Sequence, residues 1–90
     1  MQKRILIVED EPAIRDMVAY ALRKGDFEPV PAGDGREAQA AIAERVPDLI
    51  LLDWMLPGGT SGIELARRLK REELTSDIPI IMLTAKGEED

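Results

Sequence analysis

The acids of this chain stand where chemistry can be done. Glu9, Asp10 and Glu11 follow directly on the apolar run Ile5-Leu6-Ile7-Val8, and Asp53 follows directly on Leu49-Ile50-Leu51-Leu52. Thr84 closes a further run, Ile80-Ile81-Met82-Leu83. Carboxylates gathered in one pocket repel one another, so the pocket either holds protons or calls for a cation. Oxygen donors without nitrogen or sulfur specify a hard ion such as Mg2+, which keeps several of its waters. The chain holds no histidine and no cysteine. Imidazole and thiolate ligands, a histidine-based triad, a thiol nucleophile, a disulfide and a phosphohistidine are therefore excluded from it.

Each of these residues also has a plainer reading. Pro12 suits the first turn of a helix, and acids just before it meet the positive end of the helix dipole. That account is preferred for Glu11 and stands level with ligation for Asp10. Asp53 precedes Trp54-Met55-Leu56 and has no helix start within reach to cap, so a functional role explains it better. Thr84 alone says little, and Trp54 reads as a packing residue. Gly58 and Gly59 lack the further glycines and the lysine of a phosphate-cradling loop.

The elements that must position these residues alternate in type. Ile5–Val8 has the unbroken apolar character of a strand buried on both faces. Ile14, Met17, Val18, Ala21 and Leu22 then fall at i, i+3, i+4, i+7 and i+8, one helical face, and Gly25 stands where a glycine would end that helix. Residues 27–32 form a weaker strand. Pro29 and Pro31 within it cannot donate to a ladder, which places it at a sheet edge. Asp34 and Glu37 have capping-box spacing before a helix with Ala38, Ala41 and Ile42 inward, and Pro47 closes it. Leu49–Leu52 is a central strand. Pro57, Gly58 and Gly59 make a loop. Ser61 and Glu64 form a second capping box, with Leu65, Ala66 and Leu69 inward behind it. Arg67, Arg68, Lys70 and Arg71 read as a solvated face, with Glu64 placed for i,i+3 and i,i+4 pairs. Ile80–Leu83 is the last strand, apolar on both faces and so expected to be interior.

The order β-α-β-α-β-α-β implies an α/β fold: a parallel sheet with right-handed crossovers and helices on both faces. Ligands of such sheets bind beyond the carboxyl ends of the strands, where the acids and Thr84 stand. After Leu83 only seven mostly polar residues remain, too few to cover the fourth strand. The chain is thus expected to be a fragment, or to receive its missing half from a partner.

Ninety residues make one small domain. Apolar residues at 44% and charged residues at 33% suit a globular chain rather than a disordered one. Eighteen acids against twelve bases give a net charge of −6, which disfavours direct contact with nucleic acid. No apolar run approaches the roughly 20 residues of a membrane span, and no basic-then-apolar leader opens the chain. A cytoplasmic location without membrane contact is expected.

Taken together, Glu9-Asp10, Asp53, Met55-Leu56-Pro57-Gly58 and Thr84-Ala85 resemble, in order and spacing, the response-regulator receiver domains. The likeness runs the length of the chain and is greatest to the phosphate-regulon members that carry winged-helix DNA-binding domains. It implies a flavodoxin-like (CheY-like) doubly wound sheet ordered 2-1-3-4-5, truncated here after the fourth strand, so that residues 1–90 lack helix 4, strand 5 and helix 5. It implies that Asp53 accepts a phosphoryl group from a sensor histidine kinase. Asp10, Asp53 and the Met55 carbonyl would ligate Mg2+, with Glu9 reaching it through water. Thr84 and Ala85 would bind the phosphoryl group and signal its presence. The lysine of a fifth strand is not represented; Lys86 stands only two residues past Thr84 and is not that lysine. The resemblance implies a switch rather than an enzyme, with a second copy of the chain as a further allowed partner and DNA reached only through a separate domain. Two other readings remain at this point. One is a Mg2+-dependent phosphatase or nuclease, disfavoured because Met55 stands where such enzymes want a second aspartate. The other is a pure interaction module using the uncovered fourth strand.

Overall fold

The computed structural model describes residues 2–56 and 61–83. The four apolar runs form strands β1 (Arg4–Val8), β2 (Glu28–Ala32), β3 (Leu49–Asp53) and β4 (Ile80–Leu83), joined through helices α1 (Pro12–Lys24), α2 (Gly35–Glu44) and α3 (Gly62–Arg71). All pairings are parallel, in the order β2-β1-β3-β4. That matches the first four strands of the expected flavodoxin-like order. Among the described residues no helix is long and apolar enough to cross a membrane.

The prolines place β2 at the edge, as expected. The Glu28 N–H donates to Lys3 O at 2.9 Å, and Ala32 O accepts from the Glu9 N–H at 3.0 Å. Alternate backbone groups of a strand point opposite ways. Pro29 and Pro31 therefore turn their missing donors away from β1, where the loss costs no ladder bond. At the amino ends of the strands, Asp48 N–H donates to Arg4 O at 2.8 Å and Arg4 N–H to Asp48 Oδ2 at 2.8 Å. Arg4 Nη1 also pairs with Glu28 Oε2 at 3.0 Å.

Period-two alternation divides the sheet. Leu6, Val8, Ala32, Ile50 and Leu52 face a cluster built from Ala38 and Ile42 of α2 and Leu65 and Leu69 of α3. Ile5 and Ile7 lie on the opposite face and are buried, and α1 packs on β1 and β2. The caps hold both helices of the first face. Asp34 Oδ1 accepts from Glu37 N–H at 2.8 Å, and Ser61 Oγ accepts from Glu64 N–H at 3.0 Å. Glu37 Oε1 reaches back to the Gly33 N–H, at 2.6 Å. After α3, Lys70 Nζ donates to the carbonyls of Ser76 and Ile78, and the buried Thr75 hydroxyl donates to Leu69 O. These bonds satisfy a turn that delivers β4 to β3.

Two expectations are corrected and two are met. The inward side of α1 is rotated by about one residue, some 100°. Ala19 is buried, with Val18, Leu22 and Arg15 partly so, whereas Ile14 is 41% and Met17 62% exposed. The helix packs on β1 and β2, and Ala19 is its one buried residue. Gly25 ends α1 as its C-cap, as expected, with φ −92°, and the left-handed residue is the following Asp26, with φ 70°. Aspartate tolerates that region. The Phe27 N–H then closes the turn on Leu22 O at 2.9 Å. Glu64 makes no ion pair with Arg67 or Arg68. As expected of a chain too short to cover its fourth strand, β4 is the outermost described strand and Ile81 is 51% exposed. Apolar character on both faces marked a strand able to be interior, and neither α2 nor α3 reaches its second face.

Candidate functional site

Register builds the site. Val8 lies opposite Leu52 in the ladder between the two central strands, so Glu9 and Asp53 leave adjacent strands side by side. The ligand oxygens of Glu9, Asp10 and Asp53 all lie within 4.8 Å of one another. Glu9 is buried, Asp53 half-buried and Asp10 exposed, a gradient that leaves the cluster open on one side.

The backbone around Glu9 is held at three points. Its N–H donates to Ala32 O, its carbonyl accepts from Arg15 Nη1 at 3.0 Å, and its carboxylate Oε2 accepts from the Glu11 N–H at 3.0 Å. That last bond curls the chain from β1 into α1 in three residues. Glu11 becomes the N-cap residue of α1, makes no side-chain capping bond, and stays outside the cluster. This agrees with its reading as a helix-end acid. On the other strand, Asp53 Oδ1 accepts from the Trp54 N–H at 2.9 Å.

A second element presses on Asp53 from α3. The Gly62 N–H donates to Trp54 O at 2.6 Å. A Cβ at residue 62 would stand 1.8 Å from Asp53 O and 2.9 Å from its carbonyl carbon, closer than a side-chain carbon comes to atoms it is not bonded to. Only glycine lets the start of α3 seat on this peptide. Met55 bridges to Ser61 in antiparallel fashion, and its side chain is exposed. Thr84, Ala85 and Lys86 lie outside the described residues, as do Pro57, Gly58 and Gly59.

Three carboxylates converge, and Asp10 and Asp53 form no ion pair among the described residues. Oxygens within this span match the reach of one small divalent cation, whose ligands stand about 2.0–2.1 Å from the ion for Mg2+. The donor set is all oxygen, and no histidine or cysteine competes. The residues present therefore fit a hard divalent ion.

Arg15 and Gly62 were not singled out by pattern alone. Gly62 did carry a signal, because a glycine in a helix's first turn weakens the helix unless something approaches closely. Arg15 had a fainter one, a charged residue on a helix flank that turns out to be half-buried.

The family model described as the response regulator receiver domain matches residues 5–90. The phosphate regulon transcriptional regulatory protein PhoB of Pseudomonas aeruginosa is 68% identical over 88 residues, covering 98% of this chain and 38% of that protein. The chain thus spans well under half the length of this curated relative. A putative response regulator from Chloroflexus aurantiacus superposes with TM-score 0.91 at 35% identity, over 99% of this chain and 72% of that one. TrrA from Thermotoga maritima, a response regulator protein solved in complex with Mg2+ and BeF, superposes with TM-score 0.85 at 37% identity, over 96% and 72%.

Proposed function

The chain belongs to the response regulator receiver domain family, and from that premise we propose that it is the phospho-acceptor unit of a PhoB-like two-component transcriptional regulator, modified on Asp53 by a sensor histidine kinase. The observation that carries this reading is the meeting of Glu9, Asp10 and Asp53 within 4.8 Å at the ends of two neighbouring strands. Asp10, Asp53 and the Met55 carbonyl would hold Mg2+, with Glu9 behind them. When bound, the ion supplies positive charge against that of the transferring phosphoryl oxygens.

The chain's own residues do the rest. Asp53 Oδ1 accepts from the Trp54 N–H, and a carboxylate oxygen of Asp53 makes the attack on phosphorus. The P–N bond of the donor phosphohistidine breaks as the P–O bond to Asp53 forms, and the electron pair returns to the imidazole. The phosphohistidine must come from another protein, since this chain has no histidine. A carboxylate is a weak nucleophile, so positioning and neutralisation supply most of the acceleration. The Thr84 hydroxyl, next to Ala85, donates to a phosphoryl oxygen and registers the modified state. The chain is in this reading a cytoplasmic switch rather than an enzyme with a turned-over substrate, and DNA is contacted by a winged-helix domain outside residues 1–90.

A radiolabelled small phosphoryl donor such as phosphoramidate, with Mg2+, tests this. Alkali-labile label should enter the chain and vanish in Asp53→Asn. Undiminished labelling of Asp53→Asn would sink the assignment.

A further inference from the structure

Asp10 is the exposed middle residue of the three that join β1 to α1. What sets its direction is the peptide plane before it, which comprises the Glu9 carbonyl and the Asp10 N–H and is rigid. Arg15 grips that plane, its Nη1 donating to Glu9 O at 3.0 Å in a part-buried setting. The guanidinium has a seat of its own. A Cβ at Gly33 would stand 3.2 Å from Arg15 Nη1 and 3.4 Å from Glu37 Oε1. The turn between β2 and α2 therefore abuts Arg15, with the capping oxygen of Glu37 beside the same glycine. Arg15 thus links two loops at the carboxyl end of the sheet.

We infer that Arg15 is a positioning residue for the acidic cluster: it fixes the Glu9–Asp10 peptide so that both acids converge with Asp53 on one divalent cation, and Gly33 provides the room for it. This rests on the Mg2+ reading proposed above. The inference has a distinctive sign. A cation beside three carboxylates opposes the arrival of another cation. If charge were all that Arg15 contributed, removing it would tighten Mg2+ binding. Positioning requires the opposite.

The experiment is a calorimetric Mg2+ titration of the full chain, with Trp54 fluorescence as a second readout and metal-free circular dichroism to verify folding. Arg15→Ala should weaken binding by about tenfold, the lower end for loss of a group that orients a ligand. Arg15→Lys, which keeps a donor, should recover part of that loss. Gly33→Ala, which crowds the guanidinium, should weaken binding by less than Arg15→Ala. Unchanged or tighter binding by folded Arg15→Ala overturns the inference while leaving the Mg2+ reading intact. A folded wild-type chain that binds no Mg2+ overturns the Mg2+ reading, and the inference with it. Should Arg15→Ala fail to fold, Gly33→Ala decides in its place: weaker binding sustains the role of Arg15, and unchanged or tighter binding overturns it.

Discussion

Ile7, Leu51 and Ile81 form one row across three paired strands, and their burial runs from complete at Ile7 to half exposure at Ile81. The row beside it, Leu6, Ile50 and Ile80, belongs to the other face. There Leu6 and Ile50 are wholly buried and Ile80 packs against the cluster formed with α2 and α3. The same strands, equally apolar on both sides, thus carry a closed core on one face and an open flank on the other. Strand composition states what a face can bury. A separate layer must arrive to bury it. The site draws on both faces, because Asp53 is pressed by α3 from the closed side and Glu9 is held by Arg15 of α1 from the other.

The sharpest way to break this comparison is to truncate neighbours in β3. Ile50→Ala opens a cavity in the closed core and should cost about 2–5 kcal/mol. Leu51→Ala, one residue on and facing the other way, should cost clearly less, because its site is already open to water. Denaturant melts of the pair decide it, and equal losses would dismiss the asymmetry. Gly62→Ala comes next. The new methyl meets the Asp53 backbone, so a peptide must move; overpacking of this kind costs about 1–3 kcal/mol. It should also weaken Mg2+ binding by the folded protein, and a titration unchanged from wild type would detach α3 from the site. The smallest effect belongs to Ile81→Thr on the open flank. A β-branched residue is kept in a strand, and stability should move by no more than about 0.5 kcal/mol, the range of an ordinary surface change. A larger loss in a thermal melt would show that this flank is covered in solution.

Much of the molecule could be read along the chain. Pro29 and Pro31 marked the edge strand because a missing N–H is a local fact. Asp34 and Ser61 marked helix starts because capping acts over three residues. The acids were legible as a site because parallel connections put every strand's carboxyl end on the same side of the sheet. The face that α1 presents was not legible. Its periodicity favoured Ile14 and Met17, but the sheet selected Ala19. Nor were the bond from Arg15 to the Glu9 carbonyl and the seat of Gly62 on Asp53, since each joins a side chain or backbone atom to a main-chain group in another element.

The residue order by itself determined the alternation of strands and helices, the edge position of β2, the all-oxygen character of the acidic cluster and its end of the sheet. Those follow from period, proline chemistry and the absence of histidine and cysteine, all of which act locally or by composition. Only the tertiary structure decided which face of β3 and β4 is covered, how α1 is turned, and which groups hold Glu9 and Asp53 in place. Such choices depend on the approach of segments far apart in the chain, where a contact of a few ångströms separates a hydrogen bond from a collision.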